Sequence, residues 1–304
     1  MNRCDMLFLA LTLNAFFFST QLALSDDFAG MEIEPPNAAS GKAELVSFVE
    51  SAVAFAKENG KDLALKEFSN RTGEFVQGDL YIYAYDFNGT NIAHPFKSDW
   101  IGKSKINETD SNGVLYIKNL ISAARRGGGF TYFIFPNPAH GNEDEFKIGY
   151  AMRVDDSWWL GSGLYFPEVS ASFDQADRDA LVAFVKEALQ FARDNGMQKS
   201  LEVFNNPRGN FTRDGLYIFA YDYTGQTLAL PYQPKLLGTS RIDAQDPNGV
   251  YFIRQVIETA RMGDGFMYYI YPDPSRNMAQ RLKLSYVKSL DDTWVLGSGI
   301  YSTD

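Results

Sequence analysis

The residues with the clearest capacity for chemistry are tyrosines that alternate along a predicted strand. In the segment LYIYAYD, which begins at Leu80, tyrosines fall on one face and small aliphatic residues on the other, because successive strand side chains point to opposite faces. The segment LYIFAYD, which begins at Leu216, repeats the pattern. The aromatic face comprises Tyr81, Tyr83 and Tyr85 in the first segment and Tyr217, Phe219 and Tyr221 in the second.

Four further aromatic residues are expected to extend this wall: Phe130, Tyr132, Phe266 and Tyr268. Buried tyrosine hydroxyls need a partner or water, and small-molecule pockets are usually lined by aromatic side chains with a few polar groups. The alternative is an ordinary amphipathic core that binds nothing. The opposite, aliphatic face of the strand is expected to pack on the long first helix.

Catalytic chemistry finds little support in the residue types. The chain has 2 histidines and 1 cysteine, and Cys4 lies in a predicted signal peptide, which excludes thiol catalysis and Cys-ligated zinc from the mature chain. Ser162 and Ser298 lie in LGSG within strands, not at the strand-to-helix turn of a hydrolase nucleophile. Asp110 and Asp246, in DSNG and DPNG, are expected near helix N-caps, not in calcium loops. We therefore predict no enzyme, no cofactor and no metal.

The glycines of the two LGSG segments allow a further interpretation. A phosphate-binding loop would need a helix N-terminus directly after it, and no helical pattern follows Tyr301. Small residues that let a helix pack closely on the strand are the better account.

The composition limits the possible partners. The 304 residues carry a net charge of −10, with 45% hydrophobic and 15% aromatic content. This is the composition of a folded chain of one large domain or two moderate ones. An acidic chain without basic clusters is repelled by phosphate backbones and by anionic membrane surfaces, so neither is an expected partner.

The first 25 residues have the pattern of an export signal. Arg3 precedes an apolar run from Met6 to about Phe18, and Ala23 and Ser25 are the small residues expected before a cleavage site. The alternative is an uncleaved anchor, although the apolar run is shorter than the roughly 20 residues of a membrane-spanning helix. Residues 26–42 are then a loose leader.

The rest of the chain is a duplication. A shift of 136 positions aligns Leu45–Tyr165 with Leu181–Tyr301 without a gap. A repeat of this length indicates two homologous domains, and not a solenoid. We place the domains at 43–167 and 168–304, joined by a short polar linker near 166–174.

Each copy has the same predicted elements. A long amphipathic helix and a shorter one precede a hairpin, a third helix spans about 113–126 or 249–262, and three strands close the copy. Strands and helices in separate runs predict an α+β fold with a roughly five-stranded antiparallel sheet and flanking helices.

Several of these segments resemble the Cache family, in particular single-Cache domains of type 2. The resemblance rests on YIYAYDFNGTNIAHP, on the helix start D.NGV, on GGGF and P.P, and on the closing K.SYV and W.LGSG.Y, and it covers both copies. It implies a PAS-like fold, an extracytoplasmic location and a small ligand, often a short organic acid, bound on one side of the sheet.

The resemblance also suggests ligand-binding residues, which differ between the copies. The AHP segment supplies His94 in the first copy, whereas the second has a leucine at this position. A carboxylate needs a cationic or hydrogen-bonding anchor, for which Lys147 with Tyr150 and Lys283 with Tyr286 are the first choices. Arg254 matches the family's helix start in the second copy only. The alternative is that both lysines protect an exposed sheet edge.

These observations predict an exported, soluble sensor-type protein that binds a small organic acid or similar metabolite. It is expected to be secreted, periplasmic or on the cell surface, without stable membrane insertion after signal cleavage. Because the chain ends directly after the second closing strand, a separate signalling or transport partner, for example a membrane-bound one, is expected. The alternative function is a structural or adhesive surface module without a ligand, whose pocket would be filled by aliphatic side chains.

Overall fold

The structure is a computed structural model that describes residues 38–303. The predicted signal peptide and residues 26–37 of the predicted leader lie outside the described residues, whereas residues 38–42 begin the first helix, so this part of the leader prediction is wrong. We call residues 38–165 the first half and residues 175–303 the second half. Within residues 38–303, no helix combines the length and the apolar character that crossing a membrane requires.

Both halves contain the same elements in the same order. The first half comprises α1 (Ala38–Asn59), α2 (Lys61–Phe68), β1 (Val76–Gln77), β2 (Leu80–Tyr81), β3 (Tyr83–Asp86), β4 (Asn91–Ala93), α3 (Tyr116–Arg125), β5 (Gly128–Asn137), β6 (Glu143–Arg153) and β7 (Trp158–Tyr165). The second half comprises α4 (Gln175–Phe204), β8 (Thr212–Arg213), β9 (Leu216–Tyr217), β10 (Phe219–Asp222), β11 (Thr227–Ala229), α5 (Phe252–Arg261), β12 (Asp264–Asp273), β13 (Ala279–Ser289) and β14 (Trp294–Tyr301).

A glycine ends the first long helix in each half. Gly60 separates α1 from α2 with φ 81°, and Gly196 breaks α4 at the equivalent position with φ 75°. Left-handed backbone of this kind carries a small penalty only for glycine. The long helix and the short helix therefore meet at an angle in both halves.

Each half has one five-stranded antiparallel sheet. The strand order is β4-β3-β7-β6-β5 in the first half and β11-β10-β14-β13-β12 in the second. The predicted hairpin forms, because β3 pairs with β4 through Ala84 and Ala93. The predicted α+β, PAS-like fold with a five-stranded sheet in each half is confirmed.

Different helices pack on the two faces of the first sheet. Ile82, Ala84 and Leu160 pack with Leu45 and Val49 of α1, as expected for the aliphatic face. On the opposite face, side chains of β2, β3, β5 and β7 pack with α3. The long helix and α3 thus enclose the sheet from both sides, and the aromatic face lies under α3.

The two halves pack against each other with approximate two-fold symmetry. Gly113 lies against Phe266, and the equivalent Gly249 lies against Phe130. Asn112 donates hydrogen bonds to the Tyr268 hydroxyl at 2.8 Å and to the Ala171 carbonyl at 2.6 Å. A buried apolar cluster with members from both halves surrounds these contacts.

The two aspartates expected at helix N-caps have another role. The Asp110 carboxylate accepts hydrogen bonds from the backbone N–H groups of Asn112 at 3.0 Å, Val114 at 2.9 Å and Ile134 at 3.1 Å. Asp246 makes the equivalent contacts in the second half. Because α3 begins only at Tyr116, the N-cap prediction is wrong: each aspartate closes a turn and ties it to a strand.

Candidate functional site

The two repeated lysines lie in the interior of the sheets. Lys147 of β6 pairs with Phe133 of β5 on one side and with Tyr165 of β7 on the other. Lys283 has the equivalent neighbours in the second half. Their exposed fractions are 1% and 0%. The alternative in which these lysines protect an exposed sheet edge is therefore wrong, and both side chains enter the aromatic layer under α3 or α5.

The first half contains a small cavity around Lys147. Its volume is about 10 Å³, roughly the space for one water molecule. The lining residues are Tyr81, Tyr83, Tyr85, His94, Tyr116, Ile117, Leu120, Phe133, Phe135 and Lys147. The cavity is thus an aromatic enclosure with one amine, one imidazole and several hydroxyl groups.

A chain of hydroxyl groups positions the Lys147 amine. Lys147 Nζ donates a hydrogen bond to the Tyr81 hydroxyl at 3.0 Å, which lies 2.9 Å from the Tyr165 hydroxyl. Tyr165 in turn donates to the Pro136 carbonyl at 2.9 Å. An ammonium group has three N–H donors, and only one is used here. Burial lowers the pKa of Lys147 well below its ordinary value, and the charge of Asp79 opposes this in part.

The surroundings of His94 define its tautomer. Its Nδ1 accepts hydrogen bonds from the backbone N–H groups of Phe96 at 3.1 Å and Lys97 at 3.2 Å. Burial, together with the charges of Lys147 and Lys97, lowers the pKa of His94 to about 3. The ring is therefore neutral, and its proton is on Nε2. His94 thus supplies one N–H donor to a cavity that also contains the Lys147 amine.

The LGSG glycines make room for this site and not for a helix. A Cβ at Gly163 would lie 2.6 Å from Lys147 Cε and 2.6 Å from the Ile148 carbonyl oxygen. A Cβ at Gly161 would lie 3.0 Å from the Tyr83 ring. The expectation that a helix packs closely on these glycines is wrong, because a buried lysine and an aromatic ring occupy the space.

The second half repeats the arrangement with changed polar groups. Lys283 Nζ donates to the Tyr217 hydroxyl at 2.8 Å, and Tyr217 lies 3.2 Å from the Tyr301 hydroxyl. Burial lowers the pKa of Lys283 to about 7, against the opposing charge of Asp273. Leu230 replaces the histidine, and Ser285 donates to the Tyr269 hydroxyl at 2.9 Å. The two halves therefore present different polar groups to their aromatic layers.

The structure brings together half of the predicted ligand-binding residues. Tyr83, Tyr85, His94 and Lys147 line the cavity of the first half. Phe219 and Tyr221 belong to the corresponding aromatic cluster of the second half, and Lys283 Nζ lies 5.5 Å from the Phe219 ring.

The predicted extension of the aromatic wall is wrong. Phe130 packs on the α1 side of the sheet, and Tyr132 lies in the cluster between the two halves. Phe266 and Tyr268 have the equivalent positions in the second half. The residues of β5 that reach the cavity, Phe133 and Phe135, have the opposite parity along the strand. The predicted residues thus lie on the correct strand, but their side chains point to the face of the sheet opposite the cavity.

The same parity places both predicted tyrosine partners away from the lysines. Tyr150 follows Lys147 by three residues and therefore points to the other face, where its ring centre lies 4.8 Å from that of Phe130. Tyr286 likewise packs on Phe266. Arg254 forms an ion pair with Asp243 at the surface, and its guanidinium lies 4.2 Å from the centre of the Tyr251 ring. The structure brings these three side chains neither to the Lys147 cavity nor to the aromatic layer around Lys283.

Five lining residues were not predicted from the sequence: Tyr116, Ile117, Leu120, Phe133 and Phe135. Tyr81, which also lines the cavity, lies on the predicted aromatic face. One signal for the missed residues was available, because Tyr116, Ile117 and Leu120 have the spacing of one helix face.

The fold and site define a class of protein: an α+β, PAS-like module with a small, mainly aromatic pocket on one face of its sheet. Within the described residues, no group of three or more acidic, histidine or cysteine side chains could hold a metal ion. The chain belongs to the Cache domain family: the family model dCache_2, described as a Cache domain, matches residues 49–304.

Individual relatives match one part of the chain at a time. The sensor histidine kinase MctS of Rhizobium johnstonii is 38% identical over 96 residues, which is 31% of this chain and 20% of the kinase. The methyl-accepting chemotaxis protein CtpM of Pseudomonas aeruginosa is 37% identical over 92 residues, 30% of this chain and 16% of CtpM. The match thus spans a fifth or less of each of these curated relatives.

A solved structure gives a similar result. The crystal structure of a methyl-accepting chemotaxis protein from Vibrio parahaemolyticus is 32% identical and aligns with 41% of this chain and 88% of its own, with a TM-score of 0.38.

Proposed function

We propose that the chain is the sensing part of a signalling system and that its first half binds a short organic acid. The carrying observation is the Lys147 amine, which is completely buried, forms no ion pair with a carboxylate of the described residues and shares its cavity with His94. Burial makes the charged form of this amine unfavourable, and an anionic ligand would stabilise the protonated form.

The arrangement favours a small carboxylate in particular. A carboxylate accepts up to four hydrogen bonds, and two N–H donors from different elements, Lys147 Nζ and His94 Nε2, can hold its two oxygens. The aromatic rings around them suit a short apolar tail. Because the cavity holds only about one water molecule, the ligand is small and the walls must move to admit it.

The same proposal covers the organisation of the chain. Two single-Cache modules of type 2, at about 43–167 and 168–304, follow a cleaved signal peptide, and the protein works outside the cytoplasm. The similarity to a sensor histidine kinase and to a methyl-accepting chemotaxis protein supports a role in signalling. A separate signalling or transport partner would carry the signal onward. The structural or adhesive alternative is disfavoured by a lysine and a histidine where an inert module would bury aliphatic side chains.

Calorimetry and thermal shift on residues 26–304 test the proposal, with acetate, propionate, butyrate, pyruvate and lactate as probes. A ligand at 100 times its Kd stabilises by about 2.7 kcal/mol, which raises Tm by roughly 5 °C for a chain of this size. Lys147→Met is expected to weaken binding on the order of 10- to 100-fold through the lost charge-assisted hydrogen bond. His94→Leu, which introduces the residue found in the second half, is expected to weaken it about fivefold.

Lys103→Met is the matched control, since Lys103 is exposed in the same half, and it is expected to leave binding unchanged. If no short acid shifts Tm, the structural alternative is favoured. If an acid binds equally well to the wild type and to Lys147→Met, the proposed site is wrong.

A further inference from the structure

The second half brings an additional cation to its aromatic layer. Lys105 of the first half and Arg241 of the second are equivalent in the 136-residue repeat. In the first half, the Trp100 ring packs on Phe135 at 5.9 Å, and Lys105 lies outside it, 4.0 Å from the Trp100 ring centre. Lys105 also pairs with Glu108 at 3.4 Å. The tryptophan thus separates this lysine from the pocket.

The equivalent tryptophan is absent from the second half. Leu236 replaces it, and the Arg241 guanidinium lies directly against Tyr271 and Phe252, 5.7 Å and 5.3 Å from their ring centres. Arg241 Nη1 donates to the Tyr271 hydroxyl at 3.0 Å. These two rings correspond to Phe135 and Tyr116, which line the cavity of the first half.

The two cations of the second half flank one ring. Lys283 Nζ lies 5.5 Å from the centre of the Tyr271 ring, and Arg241 lies at its hydroxyl end. Within the described residues, neither side chain forms an ion pair with an aspartate or glutamate. The Tyr271 hydroxyl donates its proton to Gln233 Oε1 at 2.5 Å and accepts a hydrogen bond from Arg241. As a neutral acceptor, Tyr271 does not compensate the charge of Arg241. Two basic side chains therefore share this layer without an ion pair to a carboxylate of the described residues.

We propose that the second half binds a small molecule with two anionic groups, in particular a short dicarboxylate that contacts Lys283 with one carboxylate and Arg241 with the other. The proposal rests on the proposed function, because it assigns a ligand class to the aromatic layer of the second half that corresponds to the acid-binding cavity of the first. A guanidinium can hold a carboxylate through two parallel hydrogen bonds, which suits Arg241 for the outer carboxylate. The first half, with one amine and a neutral histidine, has no equivalent second charge.

Calorimetry with malonate, succinate and glutarate, compared with butyrate, tests this proposal. The measurements use residues 26–304 carrying Lys147→Met, so that binding in the first pocket is weakened. At least one dicarboxylate is expected to bind at least tenfold more tightly than butyrate. Arg241→Gln keeps an N–H donor but removes the charge, and it is expected to weaken dicarboxylate binding 10- to 100-fold while leaving butyrate binding within threefold.

Arg261→Gln is the control, since this arginine pairs with Glu258 on the exposed side of α5. Butyrate binding as tight as that of every dicarboxylate, or dicarboxylate binding that Arg241→Gln does not weaken, would overturn the two-anion site and leave the first-half site intact. If the chain with Lys147 restored also binds no acid, the proposed function itself fails, and the two failures are therefore distinguished.

Discussion

Replacement of Lys283 with methionine is expected to change how stability depends on pH. The folded protein holds the pKa of Lys283 at about 7, compared with the ordinary value of 10.5, because the amine is buried. Between these values the unfolded state binds more protons than the folded state. The free energy of unfolding of the wild-type chain therefore increases as the pH rises through this window.

The size of the effect follows from the shift. Each pH unit inside the window is worth about 1.4 kcal/mol, so from pH 7.5 to 9.5 the wild type is expected to gain about 2 to 3 kcal/mol relative to Lys283→Met. Below pH 7 the lysine is protonated in both states, and the difference between the two proteins becomes constant. The methionine variant is expected to be the more stable protein there, since it buries no charge.

Urea unfolding followed by tryptophan fluorescence at pH 6.5, 7.5, 8.5 and 9.5 measures this difference. Tyrosine ionisation near pH 9.5 affects all variants equally and cancels in the comparison. Lys199→Met is the control, because the Lys199 side chain is 55% exposed and should give a profile parallel to the wild type. If Lys283→Met is also parallel, the folded protein holds this amine at its ordinary pKa, and the account of a desolvated lysine is refuted.

Two further predictions concern the contacts that build the site and join the halves. Gly163→Ala places a methyl group within 2.6 Å of the Ile148 carbonyl oxygen and is expected to lower the free energy of unfolding by about 1 to 3 kcal/mol, whereas Gly129→Ala, which meets Ala123 at an ordinary 3.4 Å, should cost less in the same urea assay. Asn112→Ala leaves the buried Tyr268 hydroxyl without its donor and should cost about 1 to 3 kcal/mol. The double variant with Tyr268→Phe should recover part of this loss, and strictly additive losses would argue against the contact between the halves.

The sequence predicted the fold well because the fold depends on patterns that it displays directly. The 136-residue repeat, the alternation after Leu80 and the helical spacing from Leu45 to Ala56 each report a periodicity, and the structure follows them. The site was predicted less well because it depends on the face of the sheet to which each side chain points. Lys147 and Tyr150 look like neighbours in the sequence, yet three residues along a strand reverse the direction of a side chain.

A different limit applies to Arg241. Its position was visible in the sequence, but its approach to Tyr271 depends on Leu236 standing where the first half has Trp100. Neither residue alone predicts a cation at the pocket, because the effect arises from a pair of substitutions that meet only in the folded chain. Contacts of this kind cannot be predicted from periodicity, which describes each element separately.

Two of the repeated motifs are one structural feature. The lysine of K.GY or K.SY reaches the aromatic layer only because the second glycine of LGSG, on the neighbouring strand, leaves room for its side chain: a Cβ at Gly163 or Gly299 would lie 2.6 Å or 2.5 Å from the lysine Cε. A buried lysine lowers the stability of the folded chain. A glycine within a strand lowers it further, because glycine loses more conformational freedom on folding than other residues do. A structural module would gain by replacing both residues. Their joint presence in both halves is therefore better explained by a charge that the pocket needs when a ligand is bound.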